Sequence, residues 1–243
     1  MVALKKIGSQ RLRVDVWSDI ACPWCYVGKR RLEAALASFP HRDAVEVVWR
    51  AFELDPSAPP ERDRSVPYAA RLAKKYGTAV NDAQRRIAQM TDVAKQDGLD
   101  FHFERIRSGN TFDAHRVLHL AAVRGVQDAV KERLLLAYMT EGEPIGDPET
   151  LVRLAAEAGL DAEEVRAALA GDTFTRDVRD DEDEARELGI QGVPFFVIGG
   201  VYAVSGAQPA EILLGALTRA WSEMAPRSEA FAEGAACGPD GCA

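Results

Sequence analysis

The stretch SDIACPWCYVGKR, Ser18 to Arg30, holds two cysteines with two residues between them. A thiolate is both a nucleophile and a metal ligand, so the surroundings of Cys22 and Cys25 decide which chemistry is open to them. Just upstream, RLRVDVWSD alternates and is rich in β-formers, which reads as a strand. Just downstream, CYVGKRRLEAALASF carries Leu32, Leu36 and Phe39 at helical spacing, and Pro23 suits an early helical position. The pair therefore falls at a strand-to-helix junction. Free backbone N–H groups and the positive end of the helix dipole favour a thiolate at Cys22 there. Cys25 lies one turn further in, within disulfide reach and more buried. That asymmetry suits an attacking and a resolving thiol. A metal site needs four ligands, which the distant tail cysteines or scattered histidines would have to complete. Two inert buried cysteines fit poorly with the opening turn of a helix.

The elements around the pair follow a clear order. AVEVVWRAFEL, Ala44 to Leu54, is a second strand, so the first sixty or so residues read β-α-β. DPSAPPERDRSVP, Asp55 to Pro67, is a Pro-rich break. From about Tyr68 to Leu188 the pattern is helical, with segments ending at Gly77, Gly98, Gly125, Gly159 and Gly171. Thr111 is placed to cap FDAHRVLHLAAVRG. The acidic run DDEDEARE, Asp180 to Glu187, reads as the solvated face of a last helix. VPFFVIGG and VYAVSG form a hairpin signal around Gly199-Gly200, and PAEILLGALTRAWSEM closes the fold as a helix. The expected class is α/β, in the order β-α-β, a large all-helical insertion, then β-β-α. Residues 11–57 and 190–224 form the discontinuous main domain, 58–189 the insertion, and 225–243 a flexible tail.

Of 243 residues, 47% are hydrophobic and 28% charged, enough apolar material for a real core. A formal net charge of −8 gives no electrostatic reason to bind nucleic acid or anionic lipid. No apolar run is long enough to span a bilayer, and the apolar stretch at the start is too short for a secretory signal. These features point to the cytoplasm, where a Cys-x-x-Cys pair is more often redox-active or metal-binding than structural.

Other residues compete for a role. Pro194 in GVPFF opens a strand, where proline is tolerated. A cis Val193–Pro194 bond would leave the Val193 backbone free to pair with an extended substrate beside Cys22. Pro23 and Trp24, between the cysteines, would touch substrate. Asn110 and His115 in SGNTFDAHR would face the site, unless that segment serves local capping by Thr111. His119 shares a helix face with His115, a weak metal signal. Arg50 could meet an acid at the end of its strand. Cys237 and Cys242 flank Gly-Pro-Asp-Gly, strong turn chemistry, and make a candidate second redox pair; a metal role and no role are the alternatives.

SDIACPWCYVGKRRLE, GNTFDAHR, GIQGVPFFVI and YAVSGAQPAE together resemble the DsbA-like branch of the thioredoxin superfamily, and within it the FrnE-like proteins. The resemblance runs through residues 11 to 224. It implies a thioredoxin-like fold (β-α-β … β-β-α) with a large all-helical insertion, and thiol–disulfide oxidoreductase activity, with Cys22 as nucleophile, Cys25 as resolving thiol and a cis-proline at Pro194. It implies protein substrates bearing disulfides or thiols, no bound cofactor, and glutathione or a thioredoxin-type system for recycling. Between the cysteines stand Pro23-Trp24, where DsbA-type motifs often carry a histidine. Six residues before Cys22, where many thioredoxins bury an acid, stands Val16, and strand alternation turns Asp15 and Asp19 away. The alternative reading is a glutathione-dependent isomerase or transferase of an aromatic or polyketide molecule; such enzymes commonly carry serine at the first position. A thiol metal-binding protein is a third.

Overall fold

A computed structural model describes residues 11–63 and 65–224. The chain begins β1 (Leu12–Ser18), α1 (Pro23–Ala37) and β2 (Val45–Ala51). Helices α2 (Tyr68–Tyr76), α3 (Val80–Gln96), α4 (Phe112–Val123), α5 (Gln127–Leu136), α6 (Pro148–Glu157), α7 (Ala162–Ala170) and α8 (Thr175–Glu187) follow. The chain then returns to β3 (Phe195–Ile198), β4 (Tyr202–Ser205) and α9 (Ala210–Met224). The four strands lie in the order β2-β1-β3-β4, with β2 parallel and β3 antiparallel to β1. This is a thioredoxin-like sheet carrying a helical insertion. The hairpin turns on Gly199 and Gly200, both at positive φ, as the tight connection requires.

Two apolar cores meet at α1. One joins Leu12, Val14 and Val16 to Leu32, Phe196, Leu213 and Leu217, between the sheet and the pair α1 and α9. The other lies within the insertion and takes in Ile20, Tyr26 and Val27 from around α1. The first turns of α1 are thus packed into the insertion while its later turns pack on the sheet.

Polar side chains complete the joint along the free edge of β2. Gln127 accepts from the Trp49 N–H at 3.0 Å and donates to the Trp49 carbonyl at 2.9 Å. Asp181 accepts from the Ala51 N–H at 2.8 Å, and Glu182 from the Glu53 N–H at 3.3 Å. Alternate residues of an edge strand point their backbone groups outward, and here helices α5 and α8 cover them. The acidic run is therefore not wholly a solvated face. Asp180, Asp183, Glu184 and Glu187 are exposed, but Asp181 is buried because it serves the strand edge. Arg50 meets its acid there: it binds Asp181 and Asp15, each at 2.8 Å.

The cap of α4 also differs from expectation. Thr111 occupies the N-cap position but its side chain makes no cap bond. Asn110 Oδ1 accepts from the Phe112 N–H at 2.8 Å instead. Asp147 and Asp161 cap α6 and α7 in the ordinary way.

Burial opposes ionisation of Asp181, but His119, the Ala51 N–H and Arg50 together hold its carboxyl below the usual range. A carboxylate whose folded pKa is depressed contributes stability above its unfolded value, and loses it as pH falls through the folded one. Asp181→Asn should cost about 1.5–3 kcal/mol at neutral pH, the scale of a hydrogen bond to a charged group. The gap between variant and parent should close as pH falls below about 4. Denaturant unfolding of both proteins across that range measures it.

Candidate functional site

Cys22 is the N-cap of α1, with extended backbone, and Cys25 N–H donates to the Cys22 carbonyl at 3.1 Å. Both are free thiols. Cys22 is 5% exposed and Cys25 0%, so Cys22 is the sulfur a substrate can reach first. Trp24, between them, is 44% exposed, and Pro23 is half-buried. The Val193–Pro194 peptide is cis, and Cys22 Sγ donates to the Val193 carbonyl at 3.5 Å. Helix α1 can lie this close to Pro194 because residue 28 is glycine. A Cβ there would meet Pro194 Cγ at 2.8 Å and Phe196 Cζ at 3.3 Å.

The electrostatics around the two sulfurs are unequal. The thiol–thiol hydrogen bond with Cys25, burial and the neighbouring charge of Asp19 push Cys22 well above the usual thiol range. Burial also opposes ionisation of Cys25. The hydrogen bond from Cys22, the charge of Lys131, the Ser18 hydroxyl and the Asp19 backbone more than offset it, and Cys25 is lowered. The inner sulfur is therefore the more readily ionised of the two. The spacing alone had suggested a thiolate at Cys22 from the helix end. Here the hydrogen bond between the two sulfurs, with the charge of Lys131 on the Cys25 side, favours ionisation of the inner one.

Asp19 belongs to the site after all. It lies one residue beyond the end of β1, where strand alternation no longer sets its direction. It is 1% exposed, accepts from Ala21 N–H at 3.2 Å and Leu54 N–H at 2.7 Å, and sits 3.6 Å from His115 Nε2. Those partners offset burial and hold its carboxyl below the usual range. His115 is buried against it and presents nothing to the surface. Asn110 donates to Glu53 at 3.2 Å and, besides capping α4, lies 3.4 Å from the Pro56 carbonyl. Asn110 and His115 thus brace the loop after β2 and the carboxylate below Cys22. His119 pairs with Asp181 at 3.0 Å, away from His115's partner. Among the described residues no group of three or more His, Cys, Asp or Glu is arranged to hold a metal. Cys237 and Cys242 lie outside the described residues.

Ser18 and Lys131 were not singled out from the sequence, and Asp19 was named there only as turned away. The signal for Lys131 was present: Gln127, Lys131, Leu134, Leu135 and Tyr138 recur at helical spacing, so a lysine stands in an apolar stripe.

A family model described as DSBA-like thioredoxin domain matches residues 13–218. A probable DsbA oxidoreductase from Streptomyces coelicolor is similar in structure, with a TM-score of 0.81 and 49% identity over 96% of this chain and 99% of that one. The uncharacterised protein YwbO of Bacillus subtilis (strain 168) is 31% identical over 193 residues, 77% of this chain and 87% of the relative. The cytosolic disulfide reductase DsbM of Pseudomonas aeruginosa shares the fold, with a TM-score of 0.57 and 18% identity over 87% of this chain and 99% of that one.

Gly28→Ala separates two effects of opposite sign. Helix propensity alone would favour alanine by roughly 0.5–1 kcal/mol. The contact with the Pro194 ring should instead cost about 1–3 kcal/mol, the usual scale of overpacking. The expected result is a lower denaturation midpoint and slower disulfide exchange. A stabilised variant would mean that α1 and Pro194 are not in close contact.

Proposed function

The chain belongs to the DSBA-like thioredoxin domain family, and from that premise we propose that it is a dithiol–disulfide oxidoreductase working through Cys22 and Cys25. The observation that carries this reading is the pair itself. Two free sulfurs stand one helical turn apart at the start of α1, and the outer one lies beside the Val193 carbonyl.

When a substrate disulfide approaches, Cys22 attacks one of its sulfurs and the Cys22 proton passes to Cys25. The bond between the substrate sulfurs breaks, and a mixed disulfide with Cys22 forms. Cys25 hands that proton to the departing substrate sulfur; ionised again, it attacks Cys22, the Cys22–Cys25 bond forms, and the second substrate sulfur leaves and takes up a proton as a thiol. The reverse sequence oxidises a substrate dithiol. Trp24, Pro23 and the Val193–Pro194 backbone form the surface that an extended protein segment would meet. The electrons reside on sulfur, so the reading needs no bound organic cofactor. Glutathione or a thioredoxin-type system would recycle the pair, and such exchange fits a cytoplasmic location. Among the described residues no helix is long and apolar enough to cross a membrane.

Retention of Cys25 favours exchange over a glutathione-dependent isomerase or transferase. So does the inward engagement of Asn110 and His115, which that alternative would want at the substrate. The tail cysteines Cys237 and Cys242 are proposed as a second, more readily exchanged dithiol that passes electrons to or from the main pair.

Two measurements test this. Cys22→Ser should abolish reduction of insulin disulfides, while Cys25→Ser should accumulate mixed disulfides detectable by mass; full activity in Cys22→Ser would overturn the assignment. Truncation after Arg227 should leave the fold intact and alter the time course of Cys22–Cys25 oxidation by mild oxidant. An unchanged time course would make the tail pair a bystander.

A further inference from the structure

Lys131 is fully buried on α5, has no hydrogen-bond partner, and has no carboxylate within ion-pair distance among the described residues. Burying an uncompensated ammonium costs several kcal/mol. Its neighbours on the same stripe, Leu134 and Leu135, show that an apolar side chain would suit the surroundings. The chain nevertheless holds the amine firmly in place. Gln127, one turn earlier, brackets the Trp49 backbone, Asp128 accepts from the Trp49 indole N–H at 3.0 Å, and Lys131 Nζ lies 5.5 Å from the centre of that indole ring. The charged groups facing it are Cys25, Asp19 and Cys22, which favour its charge, and Lys29, which opposes it. Lys29 is already neutralised by Glu33, Asp128 and Glu132. Both carboxylate oxygens of Asp19 are engaged by backbone N–H groups. Those bonds leave Asp19 its charge but hold it in place, and of the groups that favour a charged Lys131 the Cys25 sulfur acts most strongly.

We propose that Lys131 is the counter-charge of the Cys25 thiolate, a positioning residue from the inserted helices that keeps the inner sulfur ionised and thereby sets resolution rate and redox poise. This rests on the oxidoreductase reading for its functional consequence, though not for the ion pair itself. In the direction that reduces substrate, Cys25 thiolate attacks Cys22 Sγ of the mixed disulfide. The Cys22–Cys25 bond forms and the bond from Cys22 to substrate sulfur breaks, its electron pair leaving with the substrate. The two protein sulfurs are oxidised by the two electrons that the substrate disulfide gains. The departing thiolate takes up a proton, and Lys131, deprived of its anion, gives one up, so the two balance. Burial, the largest influence on Lys131, pushes it down to about 8 even with the thiolate near, which makes that release accessible near neutral pH.

The test uses full-length Lys131→Met, which keeps the length of the side chain without its charge, and Lys131→Arg, which keeps the charge. Ultraviolet thiolate absorbance is titrated against pH for each protein and for its Cys25→Ser counterpart, so that the difference reports Cys25. The fraction of Cys22–Cys25 disulfide is measured across glutathione buffers, and melting is followed alongside. Lys131→Met should remain folded with a melting temperature equal to or above the parent. Its Cys25 thiolate fraction should fall about tenfold at a given pH. Because the reduced state loses its stabilised anion, the half-oxidation point should move about tenfold, roughly 30 mV, toward more reducing buffer. Mixed-disulfide resolution should slow in proportion. Lys131→Arg should keep the parental pH profile. A folded Lys131→Met with unchanged Cys25 titration and poise overturns the proposal, as does Lys131→Arg titrating like Lys131→Met. Lys131→Gln supplies the same readouts should the methionine variant not fold. If the parent itself forms no Cys22–Cys25 disulfide in any glutathione buffer, the oxidoreductase reading fails instead, and the Cys25 titration still decides the ion pair.

Discussion

The free edge of β2 is the constraint on which this molecule turns. An edge strand leaves every second residue with an outward N–H and C=O, and a buried orphan costs about 1–3 kcal/mol. Here Trp49, Ala51 and Glu53 present those N–H groups to Gln127, Asp181 and Glu182. The helical insertion thus completes the sheet by side chains where another strand would do so by backbone. The same α5 reaches the other way as well. Asp128 and Glu132 engage Lys29, and Glu132 also takes Arg30 and the Tyr26 hydroxyl on α1. With β2 on one side and α1 on the other, the rotation of α5 is fixed. Lys131, one turn after Gln127, is then held in the interior, where its charge acts on Cys25.

Two influences compete for the single negative charge of the reduced pair. The helix end favours the outer sulfur, but its effect is that of about half a charge and is typically 0.3–1 kcal/mol. A whole charge in a water-free interior acts more strongly than a partial one. Asp19 near Cys22 and Lys131 near Cys25 therefore draw the charge inward. Reach and ease of ionisation are divided between the two sulfurs: the outer one is the more accessible, the inner one the more readily ionised. An ionised Cys25 would be the base for attack by Cys22.

The sequence made the scaffold legible wherever local chemistry decides local structure. The strand-to-helix junction at Cys22 and the Gly199-Gly200 turn are both properties of a few adjacent residues, and the structure has them. Thr111 failed as a cap because Asn110, next to it, was equally able to do the work. Asp19 was misdirected because alternation was carried one residue past the end of the strand. Asp181 was hidden by its neighbours: within an acidic run, its place between Val178 and Ala185 on the buried face is a weak pattern. Gln127 and Lys131 share that difficulty. A polar residue in an apolar stripe declares that it is buried, but what it is buried against lies some eighty to a hundred residues away in sequence, and no local pattern names the partner.

A fold shared with proteins under 25% identical says little about chemistry, which must be argued from the site. What the site needs for exchange is two sulfurs that can bond to each other and a place for the charge when they are apart. The first comes from two positions of α1, a local feature. The second comes from α5, which the insertion supplies and the β2 edge holds in register. Removing the insertion would therefore not leave a smaller version of the same centre. It would uncover the outward N–H groups of Trp49 and Ala51, expose the inner face of α1 at Tyr26 and Val27, and leave Cys25 with burial to oppose its ionisation and no cation to favour it. The helices that interrupt the thioredoxin-like chain are in that sense part of the proposed redox centre.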